Sequence, residues 1–319
     1  MKRVAVITSG GDAPGMNAAV RSVVRKGICC GLEIVGYESG FQGIIEGKSK
    51  RLDLSSVGGI IDKGGTFLGT ARSEQFMTKA GQDKALKTFE KDGIEGFIVI
   101  GGEGSYKGAQ VFQKAGYGTV GIPGSIDNDI AGTDDSIGFD TCINTVAEAI
   151  SKIRDTASAH ERIFVIEVMG RTCGMIALYA GLAGGADFIL VPEYPYNVDN
   201  VCSVISRGFD RGKLHSIIVV AEGVSSAEKV AHEIGSCVGH EVKKSVLGYI
   251  QRGGSPTAWD RVLASRMGST AIDLLRDNKS GLAVGISGSD IIWTTLEYAY
   301  QNKRKLDKEL LDLTAILAT

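Results

Sequence analysis

The sequence predicts an α/β fold made of two Rossmann-like three-layer domains with mainly parallel sheets, its site at the strand C-terminal ends between them. Three observations carry this. Short β-branched runs recur along the 319 residues, each ending in glycine or a polar residue and followed by a helical stretch. The runs are apolar almost throughout rather than alternating, as strands are when helices cover both faces of a sheet. The 44 glycines follow no triplet repeat, and only 5 prolines accompany them. Glycine therefore serves tight turns and close backbone approach to a ligand, not a fibre or a linker.

In chain order, residues 4–8 form a strand that ends at Ser9-Gly10-Gly11-Asp12 and feeds a helix over 18–28. Residues 34–37 form a second strand. The strand at 97–100 runs into Gly101-Gly102-Glu103-Gly104-Ser105, with a helix to about residue 115. Residues 119–122 lead to Pro123-Gly124-Ser125-Ile126-Asp127-Asn128-Asp129. Strands at 163–168, 188–191 and 217–221 precede Met169-Gly170-Arg171, Pro192-Glu193 and Glu222-Gly223. In parallel sheets, ligands bind beyond the carboxyl ends of the strands. The Gly-rich turns, Asp127, Asp129, Arg171 and Glu222 all fall there, which points to a phosphorylated or nucleotide ligand. The expected division is 1–139, rejoined by part of the C-terminal segment, then 140–300, then a helical tail over 301–319.

Composition narrows the field. Lys plus Arg number 35 and Asp plus Glu 37, a net charge of −2, without the basic excess that nucleic acid demands. No apolar run has the length of a membrane span, and the N-terminus begins as a strand rather than a secretory signal. The 6 cysteines form no CxxC pair and no zinc spacing, and 4 histidines argue against a His-centred metal hydrolase. The expectation is a reduced, cytoplasmic protein with no nucleic-acid or membrane partner.

Three phosphate-binding readings compete. Gly43 to Lys48 has one residue too few for a Walker A loop. Gly102-Glu-Gly104-Ser-Tyr-Lys-Gly108 opens a helix after a strand, as a dinucleotide fingerprint does, but with one residue too many; Asp127 would stand near the ribose position. The third reading takes the loops together. Gly10-Gly11 and the 102–105 turn offer backbone N–H groups at helix N-termini. Arg72 supplies a cation, Glu103 an oxygen ligand for Mg²⁺, and Asp127 a base with Asp129 on the same side of an extended segment. Cradle, metal, cation and base are the parts of phosphoryl transfer.

These residues sit in motifs that resemble the bacterial ATP-dependent 6-phosphofructokinase family: TSGGDAPGMNAAVR (8–21), GGTFLGTAR (64–72), IGGEGS (100–105), PGSIDNDI (123–130), KIRDTASAHER (152–162), EVMGR (167–171), AEG (221–223) and LGYIQRGGSPTAWDR (247–261). The resemblance implies ATP on Gly11, Arg72, Ser73, Gly102, Glu103, Gly104 and Ser105, with Mg²⁺ at Glu103. It implies catalysis by Asp127, Arg72, Arg171, Gly11 and Ser125. Fructose 6-phosphate would be held by Ser125, Asp127, Asp129, Met169, Gly170, Arg171, Glu222, Tyr249 and Arg252. Arg162 and Lys243 would come from a neighbouring subunit of a homotetramer. An effector site for ADP or phosphoenolpyruvate would use Arg21, Arg25, Arg154, Gly185, Asp187, Arg211 and Lys213. Diphosphate-using relatives carry Asp and Lys where this chain has Gly104 and Gly124, so the expected donor is ATP, two glycines leaving room for the nucleotide.

Several matched positions depart from the family pattern. Glu103 stands for Asp, Ser125 for Thr, Tyr249 for His, Lys243 for Arg and Asp187 for Glu. Tyr249 and Lys243 loosen the expected grip on the 6-phosphate, since a phenol is neutral at pH 7 and lysine lacks the guanidinium fork. Leu54 and Leu214 stand where allosteric members are often basic, so weak or altered regulation is expected. A diphosphate-dependent variant and a catalytically weakened sugar-phosphate and nucleotide-binding regulatory homologue are the alternatives.

Overall fold

The computed structural model describes residues 1–318; Thr319, the last residue of the expected tail, lies outside the described residues. The elements in order are β1 (Arg3–Ser9), α1 (Met16–Cys29), β2 (Glu33–Tyr37), α2 (Gly40–Glu46), β3 (Ser49–Leu52), α3 (Lys79–Lys91), β4 (Gly96–Gly101), α4 (Glu103–Lys114), β5 (Gly118–Pro123), α5 (Phe139–His160), β6 (Ile163–Val168), α6 (Met175–Ala183), β7 (Phe188–Leu190), α7 (Val198–Asp210), β8 (Ser216–Ala221), α8 (Ala227–Val238), β9 (Val242–Val246), α9 (Ala258–Arg276), β10 (Leu282–Ser287), β11 (Asp290–Thr295), α10 (Leu296–Gln301) and α11 (Lys308–Leu317).

The chain divides into two compact units. The first holds Met1–Thr141 and Arg252–Arg304; the second holds Cys142–Gln251 and the segment from Lys305 onward. The expected second segment, 140–300, is thus cut short: the return to the first unit begins at Arg252, because α9 packs on α1 and β5 and buries Leu263, Met267, Ile272 and Leu275 there.

The first unit is a seven-stranded sheet in the order β11-β10-β5-β4-β1-β2-β3. The central pairs are parallel, and antiparallel β3 and β11 close the edges. Every residue of β4 is buried, as its unbroken apolar run requires. One face carries α1 and α9; the other is filled by Phe41, Phe76, Phe89, Phe97 and Phe112, with Phe76 and Phe112 stacked at 6.0 Å. Order reverses at β1: the chain goes to β2 on one side and later to β4 on the other. This switch point between β1 and β4 is where doubly wound sheets open a ligand crevice.

The second unit is a parallel sheet in the order β7-β8-β6-β9. Val201 and Ile205 of α7 and Val230 and Ile234 of α8 pack with Val165, Leu190, Ile218 and Val220 of the sheet. Cys202 and Cys237 are joined in a disulfide, a departure from the fully reduced chain expected from cysteine spacing; helix packing, not a local motif, brings them together. No helix among the described residues is long and apolar enough to cross a membrane.

Candidate active site

The crevice of the first unit is floored by the turns after β1 and β4, with Ser9 paired directly to Gly101. Neither α1 nor α4 has a side-chain N-cap, whereas Thr78, Asn197, Ser226 and Thr257 cap α3, α7, α8 and α9. Uncapped first-turn N–H groups favour an anion. Ser105 reinforces this: its hydroxyl is buried without a hydrogen-bond partner, an orphan that a phosphate oxygen would satisfy. A β-carbon on Gly11 would displace the Arg252 guanidinium, the movable end of a flexible side chain that lies against this bend. Gly104 faces open space, but a β-carbon on Gly124 would lie 2.9 Å from Cε of Met16. Gly104 thus has open space beside it, while a side chain on Gly124 would have to move the terminal methyl of Met16.

The 64–72 loop is pinned beside these turns. Thr66 and Thr8 hydroxyls meet at 2.7 Å, and Thr8 Oγ1 donates to the Gly69 carbonyl at 2.8 Å. Thr70 Oγ1 donates to the Gly10 carbonyl at 2.8 Å, and the Phe67 N–H donates to Asn17 Oδ1 at 2.6 Å. Arg72 is thereby delivered, exposed, next to the Gly10-Gly11 turn. Ser73 donates to Gln42 Oε1 at 2.6 Å and accepts from the Phe76 N–H at 3.1 Å.

Asp127 lies in a turn rather than in the extended segment expected. Ser125, Asp127 and Asp129 are half-buried while Ile126, Asn128 and Ile130 are buried, so the same-side grouping arises from the turn. Asn128, which sequence reasoning passed over, makes it. Its φ is 53°, a left-handed conformation that Asn tolerates. Its Oδ1 accepts from the Ser136 N–H at 2.8 Å and its Nδ2 donates to the Asp134 carbonyl at 3.1 Å. Ser136 Oγ donates to the Ser125 carbonyl at 2.6 Å. Asp260, fully buried, accepts from the N–H groups of Gly138 and Thr141 at 2.8 and 2.9 Å and anchors the start of α5.

Glu103 opens α4 and is ion-paired with Lys107 one turn on. Burial pushes the Asp129 carboxyl up, and the charge of Glu103 pushes it further, against its own backbone N–H and Lys303. Glu103 is thus felt at Asp129, and each carboxylate also has a lysine acting on it, Lys107 and Lys303 respectively. No group of three or more His, Cys, Asp or Glu with metal-site geometry occurs among the described residues. Mg²⁺ takes one or two protein carboxylates and completes its shell with phosphate oxygens and water, so Glu103 could serve as its protein ligand. The ion would have to displace Lys107.

In the second unit, the carboxyl ends of β6, β8 and β9 bring Met169, Gly170, Arg171, Glu222 and Tyr249 to one edge. Gly170 has φ 129°, and a β-carbon on Gly223 would strike the Arg171 carbonyl. The Glu222 N–H donates to the Val168 carbonyl at 2.9 Å. Gln251, buried and also missed, accepts from the Met169 N–H at 3.1 Å and donates to the Gly248 carbonyl at 2.9 Å. Tyr249 is 83% exposed. Arg162 and Lys243 do not join this group. They sit at the amino-terminal ends of β6 and β9, both against Glu241, roughly 20 Å away along strands of this length.

Asp187, Arg211, Lys213 and His215 line a small, partly open pocket with Phe188 and Phe209. Buried Asp187 pairs with Lys213 and accepts from Ser216 Oγ and the Ile217 N–H, each at 2.8 Å. Arg154 donates to the carbonyls of Gly184 and Gly185. Burial lowers the His215 pKa, and the charges of Arg154 and Lys213 lower it further against Asp187. Arg21 and Arg25 lie one turn apart on α1 of the first unit.

A phosphofructokinase family model matches residues 3–275. The chain is 54% identical over 318 residues to the ATP-dependent 6-phosphofructokinase of Listeria welshimeri, covering 100% of both chains. It is 53% identical, with the same coverage, to the enzyme of that name from Shouchella clausii. Its structure matches phosphofructokinase from Saccharomyces cerevisiae with a TM-score of 0.90 at 32% identity, over 94% of this chain and 45% of that longer one. With the family's fold and ordered motifs present along nearly its whole length, the chain belongs to the phosphofructokinase family.

Proposed function

We propose that the protein is an ATP-dependent 6-phosphofructokinase, transferring the γ-phosphoryl group of ATP to the 1-hydroxyl of D-fructose 6-phosphate to give fructose 1,6-bisphosphate and ADP in cytoplasmic glycolysis. The observation that carries this is the switch-point crevice. The glycine bend at 10–11, the uncapped start of α4 at 102–105, the orphan hydroxyl of Ser105 and the pinned Arg72 stand with the Asp127 turn in one unit.

Asp127 takes the proton of the attacking hydroxyl, oriented by Ser125, to whose Oγ its own N–H donates at 3.2 Å. Arg72 and Arg171, with the Gly11 N–H, stabilise charge on the phosphoryl group in flight. Mg²⁺ held at Glu103 would neutralise charge on the phosphates. Asp129, Met169, Gly170, Glu222, Tyr249 and Arg252 bind the sugar phosphate, with ATP on Ser73 and Gly102 to Ser105. The open space at Gly104 favours ATP over diphosphate.

The placement of Arg162 and Lys243 at the far ends of their strands supports their use by a neighbouring subunit, and hence a homotetramer. The cationic surroundings of His215 support an anionic effector such as ADP or phosphoenolpyruvate at Arg154, Gly185, Asp187, Arg211 and Lys213, with Arg21 and Arg25. The test is product formation from fructose 6-phosphate and Mg²⁺ with ATP or diphosphate as donor. Turnover with ATP supports the assignment; turnover with diphosphate alone overturns the donor, and none with either overturns the activity.

A further inference from the structure

We propose that Cys202 and Cys237 form a reversible dithiol–disulfide pair that clamps α7 to α8 and so sets the stiffness of one wall of the His215 pocket. The two residues are 35 apart in sequence and on different helices, with a Cα–Cα distance of 6.2 Å, inside the range a disulfide bridges without moving the backbone. Cys202 is 6% exposed while Cys237 is exposed. One sulfur is therefore open to a reagent and the other is shielded, the asymmetry of a pair that exchanges in a defined order.

The exchange balances without any group the protein lacks beyond a thiol reductant. A thiolate of the reductant attacks the exposed Cys237 sulfur, the S–S bond breaks, and Cys202 leaves as a thiolate that takes a proton. A second reductant thiolate attacks the reductant sulfur of the mixed disulfide, and Cys237 is released as a thiol. Two electrons pass from two reductant thiols to the protein. The reverse reaction, with a small-molecule disulfide, restores the bond.

The clamp bears on the pocket through α7. Val204, Ile205, Gly208 and Phe209 line the cavity, and all lie within two turns of Cys202. The helix has a second tie at its other end, where Phe209 stacks on His240 just beyond α8 at 4.7 Å. Its underside is seated by Val201 and Ile205 in the core. Opening the disulfide leaves these in place, so α7 loosens without leaving the sheet.

The full-length protein is equilibrated in glutathione buffers of graded redox ratio, alkylated and mapped by mass, with backbone amide exchange followed over residues 198–210. The expected result is interconversion of the linked and alkylated forms, with amide exchange in α7 about tenfold faster once reduced. Exchange in α1 should not change. Cys237→Ser, a mild change at an exposed site, should show the fast α7 exchange in every buffer. Failure of the pair to link at any ratio overturns the proposal. So does a link that survives excess dithiothreitol in the native protein, or an α7 whose exchange ignores the redox state.

Discussion

Asn128 lies between the two carboxylates of the Asp127 turn, and replacing it separates the stability of that turn from its aim. In Asn128→Ala, the Ser136 N–H loses its acceptor, while the Asp134 carbonyl loses one of its two donors and keeps Arg304. Asn128 itself is wholly buried. The orphaned Ser136 N–H costs about 1–3 kcal/mol. Holding alanine at the φ of 53° adds about 1 kcal/mol. The expected loss of unfolding free energy is therefore about 2–4 kcal/mol. Asn128→Gly removes the same hydrogen bonds but not the backbone freedom, and should recover about 1 kcal/mol of that. Urea denaturation measures both. Because the turn carries Asp127, turnover should fall about a hundredfold in the folded fraction of either variant, with the KM for ATP little changed since the 102–105 turn is untouched. A turnover within twofold of wild type would refute the reasoning, whatever the stability.

Other outcomes follow from the same geometry. Gly104→Asp puts a carboxylate into the open space of the phosphate turn and should raise the KM for ATP at least about tenfold in steady-state assays; Gly124→Lys should instead lower the melting temperature by displacing Met16. Lys107→Ala removes the ammonium that competes for Glu103, and should lower the Mg²⁺ concentration for half-maximal rate by a few-fold, the scale of an exposed ion pair. Asp260 gives a pH signature. Burial raises its carboxyl to about 6, against hydrogen bonds from Thr141 and Gly138. Between its ordinary value and about 6 the folded chain keeps a proton the unfolded chain has released, so this group's contribution to stability falls as pH rises through that window. Melting temperatures from pH 4 to 7 should therefore fall less steeply, or rise more, in Asp260→Asn than in wild type.

Much of this architecture is legible because buried parallel strands must be apolar. β1, β2, β4, β5 and β6 to β8 announce themselves that way, each followed by its turn. The strands that escaped are instructive. β3 and β9, with sequences Ser-Lys-Arg-Leu and Val-Lys-Lys-Ser-Val, are edge strands with one solvated side and little apolar content. β10 is broken by Gly285, where a β-carbon would strike the Gly132 carbonyl. The return of α9 to the first unit depends on a long-range packing partner, α1, that no local pattern names. Within the candidate site, the residues expected to touch ligand sit in the Gly-rich and acidic turns. The residues that hold those turns in shape were missed: Asn128, Ser136, Gln251 and Asp260 act through side-chain to backbone hydrogen bonds that no local pattern announces. Only the positive φ of Asn128 left a trace, an Asn inside a tight acidic loop. Trp259 is exposed, and its indole N–H donates to Asp135 Oδ2 at 3.2 Å.

The most direct test of the account is the turnover of Asp127→Ala against wild type, with fructose 6-phosphate, ATP and Mg²⁺ saturating and fructose 6-phosphate binding measured in parallel. Removal of a general base predicts a kcat lower by about a hundredfold to ten-thousandfold, with the sugar phosphate still bound and the fold intact. A variant that kept a tenth or more of wild-type turnover would take the proton-transfer role away from Asp127 and contradict the assignment.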